Sequence, residues 1–146
     1  MKIEKMNPEH YEMVFKLTKN FYSSDAVDHE IPDINIKNTI NRALTDGNLF
    51  DGYVLVEDEE IIGFSYITQY FETEVGGMCV MILDLYIRDE YRHHGYGTSF
   101  FKFVFEKYNF AKRFRLEVAK ENIPAINAYK KLGFTDLSYN QMVINL

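Results

Sequence analysis

Residues 78–87, MCVMILDLYI, constrain the fold more than any other stretch, because nine of the ten are apolar and the tenth is Asp84. Ten residues fall well short of the roughly 20 that a membrane-crossing helix needs. A run of this length, entered from Gly76-Gly77, reads as a strand inside a sheet with both faces covered. Asp84 is then a carboxylate carried into a sheet interior, where it must be hydrogen-bonded, paired, or turned toward a cleft.

The flanking segments supply the rest of the sheet. GYVLVE (52–57) and IIGFSYITQYFE (61–72) read as strands joined by the acidic turn DEE, which gives an antiparallel meander with 78–87. Upstream, Asn7-Pro8 signals a helix start followed by Tyr11, Val14, Phe15, Leu17 and Phe21 at helical spacing. Asp33 is placed to cap a second helix lined by Ile36, Ile40, Ala43 and Leu44. Downstream come a long helix carrying Phe101, Val104, Phe105 and Tyr108, a strand at 113–119, a helix from about Pro124 to Leu132 closed by Gly133, and a last strand in YNQMVINL. The chain therefore reads as α/β, or α+β in some schemes, with helices and strands sharing one sheet.

At 146 residues and 47% apolar content, without a repeat or a compositional break, the expectation is a single domain over 1–146. The lone Cys79 excludes an internal disulfide framework, and MKIEKMNPEHYEMVF carries Glu4, Glu9 and Glu12 where a signal peptide needs an apolar core, so a cytoplasmic protein is expected, with no membrane partner. A net charge of −6 argues against nucleic acid. Residues 23–60 hold ten acids against Lys37 and Arg42, a pattern that fits either a solvated acidic face or steering of a cationic substrate. His10, His29, His93, His94 and Cys79 lack metal-ligand spacing, so no metal is expected.

After the apolar strand, EYRHHGYGTSF brings Gly95 and Gly97 to the start of a helix. A strand running through such a turn leaves the first helical N–H groups unpartnered, and the helix dipole favours an anion there. The turn lacks the third glycine of a dinucleotide fingerprint and the Gly-Lys-Ser/Thr of a nucleotide P-loop. By itself it fits a phosphate cradle or a tight corner equally well.

Two motifs extend the reading. DLYIRDEYRHHGYGTSFF followed by RLEVAKENIPAINAYKKLGF resembles the GNAT superfamily of N-acetyltransferases. Arg92, Gly95 and Gly97 match its Arg/Gln-x-x-Gly-x-Gly/Ala loop, and Asn122, Ala125 and Tyr129 match its Asn-x-x-Ala-x-x-x-Tyr helix. The likeness is close over roughly 78–135 and extends to the whole chain in element order. It implies a mixed, mostly antiparallel twisted sheet of about six to seven strands, flanked by about four helices and split by a splayed central strand pair. It also implies acetyl-CoA as the acetyl donor. The backbone of Leu85, Tyr86 and Ile87 would pair with its pantetheine arm. The amides from Arg92 through His93, His94, Gly95, Tyr96 and Gly97 to Thr98 would hold its pyrophosphate, and Asn122 would contact its arm. Tyr129 would lie near the thioester sulfur. Family members are often dimers, which implies a homodimer here as well.

The chemistry assigns two catalytic candidates. An amine like that of lysine has a pKa near ~10.4, so at pH 7 only about one molecule in 2,500 is neutral, and something must take the proton. Asp84 is the candidate base, or else the anchor for a cationic acceptor. Where diamine acetyltransferases carry a glutamate just before this aspartate, the chain has Leu83. Tyr129 is the candidate acid, since a phenol stays protonated at pH 7 and can donate to a departing thiolate. Phe21 and Tyr22 either border the acceptor pocket, as the resemblance implies, or belong to the core.

Two function classes remain open. The first is an acetyl-CoA-dependent N-acetyltransferase acting directly on the primary amine of a small molecule or peptide. The second is a non-catalytic acyl-CoA-binding sensor or regulatory module. A covalent route through Cys79 is disfavoured, because a cysteine inside an apolar strand is usually an inert small hydrophobe.

Overall fold

The computed structural model describes residues 1–24 and 29–146. Asp25 and Asp28 of the acidic segment lie outside the described residues. Strand β1 (Lys2–Lys5) leads through a 3-10 turn at Pro8–His10 into α1 (Tyr11–Tyr22), followed by α2 (Asp33–Thr45), β2 (Phe50–Glu57), β3 (Glu60–Glu72) and β4 (Gly77–Ile87). A second 3-10 turn, Asp89–Tyr91, precedes α3 (Tyr96–Lys107), β5 (Arg113–Leu116) and α4 (Ile123–Lys131).

The five strands form one sheet in the order β1-β2-β3-β4-β5. Every pairing is antiparallel except β4 with β5, which is parallel. Helices α1 and α2 cover one face, where Val14, Leu17, Ile36, Ile40 and Ala43 pack on Val54, Phe64, Tyr66 and Tyr86. Helix α3 covers the other, where Phe100, Phe101, Val104 and Tyr108 pack on Leu55, Ile62, Ile67, Val80 and Ile82. The phenylalanines after the glycine loop are thus core, at the helical spacing expected of them.

Several boundaries differ from expectation for local reasons. Asn7 accepts a bond from the Glu9 N–H and caps the 3-10 turn rather than α1 itself. Asp33 opens α2 as its first residue, behind an extended Pro32, and pairs with Lys19 at 2.7 Å. Strand β1 escapes the sequence patterns because it is a four-residue edge strand with three exposed positions. Among the described residues five strands form rather than six to seven, since residues 134–146 carry no regular structure and leave Met142, Val143 and Ile144 exposed. The strand expected over 113–119 stops at Leu116.

Two β-bulges decide which face each residue meets. In β3, Ile62 is the extra residue against β2, where Leu55 pairs with Gly63 and Val56 with Ile61. In β4, Leu83 is the extra residue against β3, where Tyr66 pairs with Asp84 and Ile67 with Ile82. Strict alternation from Val80 and Ile82 would turn Asp84 and Tyr86 into the α3-side core. The Leu83 bulge reverses that parity, so Tyr86 joins the α1/α2 side. Leu83 itself is 40% exposed, which corrects the expectation that both faces of this strand are covered throughout.

The acidic segment is largely neutralised where it is described. Asp33 pairs with Lys19, Asp46 with Arg42, Asp51 with Lys5, Glu57 with the N-terminal amine and Glu60 with Arg88. Of the two readings of its charge, the pairing favours a locally balanced surface over a field that steers a substrate.

Candidate active site

The site begins where β4 outruns β5. The parallel pairing joins Cys79–Ile82 to Arg113–Leu116 and ends there, so Leu83–Ile87 continue as strand with β3 on one side and, among the described residues, no strand partner on the other. A stretch of strand with one free edge offers its N–H and C=O groups to an extended ligand, as an added strand would use them. Leu85, Tyr86 and Ile87 all lie in this stretch.

At its end the chain enters the glycine loop. Arg92 donates from Nε to the Ile87 carbonyl at 2.9 Å, pairs with Asp89 at 2.8 Å and lies over the Tyr86 ring. Its guanidinium is therefore committed to tying the loop to the strand end. His93 and Gly95 both take left-handed backbone conformations, with φ of 65° and 81°. The His94 ring bonds to the Arg92 carbonyl at 2.8 Å and stacks on Tyr96. The first backbone bond of α3 runs from Ser99 N–H to Gly95 C=O, so the amides of Tyr96, Gly97 and Thr98 have no acceptor within the helix. Gly95 caps α3 with no side chain, which leaves that terminus open to an anion.

Asp84 sits just past the bulge. Its Oδ2 accepts a hydrogen bond from the Tyr22 hydroxyl at 2.8 Å, and the Ser65 hydroxyl donates to its backbone carbonyl at 2.6 Å. No cation pairs with it among the described residues. Burial pushes its carboxyl above the usual carboxylate range, and the Tyr22 bond, which favours the ionised form, draws it partway back. Burial, and next the Asp84 charge, hold the Tyr22 phenol far above its ordinary value. Tyr22 therefore stays a proton donor.

Tyr129 approaches from the α3 side. Its ring meets Phe101 edge-on at 5.6 Å and Phe134 at 6.1 Å, and burial raises its phenol above the ordinary value. Its hydroxyl makes no hydrogen bond among the described residues. It also lines a groove of about 670 Å³ between β5, α4 and the C-terminal tail, bounded by Leu116, Glu117, Val118 and Phe134. That groove lies on the outer flank of β5 and includes none of Asp84, Leu85 or the loop residues 92–98. Asn122 caps α4, accepting from the Ala125 N–H at 3.3 Å, so its side chain has a structural task in the free protein.

Asp84 and the loop amides are thus ordered along one strand end, and Tyr129 comes in from a different helix. The Tyr22 and Ser65 bonds escape sequence reasoning because no local pattern links residues 62 and 19 positions apart, and the Arg92 tie escapes it because a side-chain bond to a backbone carbonyl leaves no mark in residue pattern. The one available hint is the aromatic pair Phe21-Tyr22 at the end of a helix.

Solved structures share this architecture. A possible acetyltransferase from Clostridium difficile 630 aligns with a TM-score of 0.84 at 19% identity, covering 99% of this chain and 97% of that one. AAC(6')-Iy, in complex with the bisubstrate analogue CoA-S-monomethyl-acetylneamine, aligns at 0.80 with 16% identity over 99% of this chain and 97% of that one. A ribosomal-protein-alanine N-acetyltransferase from Brucella melitensis biovar Abortus 2308 aligns at 0.77 with 13% identity over the full length of both. Identities this low establish a common fold. No curated protein matches the chain. The family model described as acetyltransferase (GNAT) family, whose acetyl donor is acetyl-CoA, matches residues 11–134, a span from the first residue of α1 to Phe134 that takes in Asp84, the glycine loop and Tyr129. The chain belongs to the GNAT family of acetyltransferases.

Proposed function

We propose that the protein moves an acetyl group directly from acetyl-CoA to the primary amine of a small cationic molecule. The observation that carries this reading is the free edge of Leu83–Ile87, with Asp84 at its start and the unpartnered amides of Tyr96, Gly97 and Thr98 beyond its end. The fit to an acyl-CoA is chemical: a strand edge for amide groups of an extended arm, then helix N–H groups for a pyrophosphate. The left-handed Gly95 lets the backbone make that turn without a side chain in the way, and a Cβ built there meets nothing within 4 Å.

In this reading each residue has a defined task. Leu85, Tyr86 and Ile87 align the arm by backbone pairing, and Arg92 holds the loop so that the amides of His93, His94, Gly95, Tyr96, Gly97 and Thr98 face the phosphates. Asn122 fixes the start of α4 and with it the position of Tyr129. Asp84 binds the ammonium and takes its proton, a role that suits a carboxyl raised by burial. The neutral amine nitrogen bonds to the thioester carbonyl carbon while an N–H of the free strand edge donates to the oxygen that gains charge. The C–S bond breaks with its electron pair on sulfur, Tyr129 gives its phenolic proton to that sulfur, and the new amide nitrogen gives up its second proton to solvent; solvent then returns a proton to Tyr129 and takes the one held by Asp84.

Thermal denaturation with acetyl-CoA, with NAD as control, tests the cofactor site. Saturation at about 100 times the dissociation constant adds ~2.7 kcal/mol, enough to raise Tm visibly. Release of CoA thiol that depends on an added amine then tests the transfer. Stabilisation by acetyl-CoA without amine-dependent release would mean a binding module instead of an enzyme.

A further inference from the structure

Three residues that no sequence motif unites converge at the β4 bulge: Tyr22 from the last turn of α1, Tyr66 from β3 and Asp84 from β4. Tyr22 bonds to Oδ2 of Asp84, and Oδ1 accepts no hydrogen bond among the described residues. Tyr66 is 1% exposed, and its hydroxyl has no partner among the described residues although it lies close enough to Asp84 to feel its charge. The nearby Thr18 hydroxyl donates its proton to the Val14 carbonyl at 2.7 Å, so it offers the Tyr66 oxygen no donor. Tyr11 packs against the same core cluster as Tyr66, and no lysine, arginine or histidine pairs with the carboxylate among the described residues. A mostly buried carboxylate with one oxygen held, one oxygen open and a neighbouring orphan hydroxyl is half of a hydrogen-bonded ion pair. The missing half is a cation.

We infer that Tyr22 is a positioning residue of the acceptor site, holding Oδ2 of Asp84 so that Oδ1, with the Tyr66 hydroxyl beside it, receives the ammonium group of the amine. The inference rests on the proposed transfer to a cationic amine. It adds that the end of α1 sets acceptor affinity through a carboxylate on another element. Phe21, whose ring packs on Tyr22 at 5.4 Å and on Tyr86 at 5.6 Å, keeps the Tyr22 hydroxyl in place. A tyrosine suits the task because a phenol donates one bond and carries no positive charge, so Asp84 keeps its own charge for the substrate.

The test uses the full chain, 1,5-diaminopentane as the probe amine, and the variants Tyr22→Phe and Asp84→Asn. Steady-state kinetics of Tyr22→Phe are expected to show the KM for the diamine raised about tenfold, the loss of one charge-assisted hydrogen bond. Its KM for acetyl-CoA stays within about twofold of wild type, and the acidic limb of its kcat/KM profile moves to higher pH. Carbon-13 NMR titration of the Asp84 carboxyl, assigned by the signal that Asp84→Asn removes, gives an activity-independent readout. Its pKa rises in Tyr22→Phe, and adding the diamine to wild type lowers it. An Asp84 pKa that ignores both Tyr22→Phe and the diamine overturns the inference, as does a Tyr22→Phe enzyme that differs only in kcat. Wild type that binds acetyl-CoA but acetylates no amine overturns the transferase reading. A diamine-sensitive Asp84 in that same protein would retain the cation site, so the two failures are distinguishable.

Discussion

The Tyr22 hydroxyl donates to Oδ2 of Asp84 at 2.8 Å across a separation of 62 residues. The bond joins the end of α1 to the β4 bulge, so the helix that packs on one face of the sheet also fixes the only acid in the apolar strand. Asp84 acquires its partner and its outlook from this one junction, while its raised proton affinity comes from burial against the pull of the Tyr22 bond.

Stability should report the burial of Asp84. An acid whose folded pKa exceeds its unfolded value binds its proton more tightly when folded, so stability is lost as pH rises from about 3.9 through the folded value. A carboxamide in its place does not titrate. Asp84→Asn is therefore expected to gain on wild type as pH increases, by about 1.4 kcal/mol or roughly 3–6 °C in Tm for each tenfold in proton affinity, and to lose that advantage in acid. Melting curves from pH 3.5 to 8 check it; a constant offset between the two proteins would refute it.

Removing the Tyr129 hydroxyl should separate binding from chemistry. The ring is held by Phe101 and Phe134, and phenylalanine keeps those contacts. Tyr129→Phe is expected to lower turnover about 100-fold or more, the usual worth of a positioned acid, with little change in acetyl-CoA affinity. Unchanged turnover removes Tyr129 from the reaction.

Two glycines should fail in different ways. Gly95 has φ of 81° with open space around its missing Cβ, so Gly95→Ala costs only the left-handed conformation, about 1–2 kcal/mol. A Cβ at Gly63 would run into the Tyr86 carbonyl oxygen and approach the Ile87 Cα at 3.2 Å, which forces β3 from β4 beside the site. Urea denaturation should therefore rank Gly63→Ala well below Gly95→Ala, and equal losses would contradict the packing.

On the opposite face, Tyr108 donates to Asp51 at 2.6 Å and lies 2.9 Å from the Tyr53 hydroxyl, while Lys5 holds the other Asp51 oxygen at 2.9 Å. Burial pushes the Tyr53 phenol up to about 12. Tyr108→Phe leaves a buried carboxylate oxygen short of a donor and is expected to cost about 2–3 kcal/mol, or roughly 5–10 °C in Tm. Calorimetry reads it directly, and a loss below about 0.5 kcal/mol would show that water replaces the phenol.

Much of this was legible in the sequence, wherever the signal is local. Alternating and continuous apolar runs announce β2, β3 and β4, helical spacing announces α1, α2, α3 and α4, and the glycine loop stands at the start of α3 as its residues suggest. The short, charged β1 was not legible, because a four-residue edge strand that pairs on one side leaves little pattern. The end of the chain misled for the opposite reason: YNQMVINL has strand composition, yet composition cannot supply a neighbour to pair with.

The sequence by itself determined most of the element types, which follow from hydrophobic period and turn chemistry, and through the resemblance of its motifs it pointed to the family and the residues available for chemistry. Tertiary structure alone decided what Asp84 faces. Side chains on a strand alternate with period two, so a single extra residue at Leu83 reverses every side chain after it, and only the pairing with β3 reveals that residue. Without the bulge, Asp84 would point into the phenylalanine core under α3. With it, the carboxylate meets Tyr22.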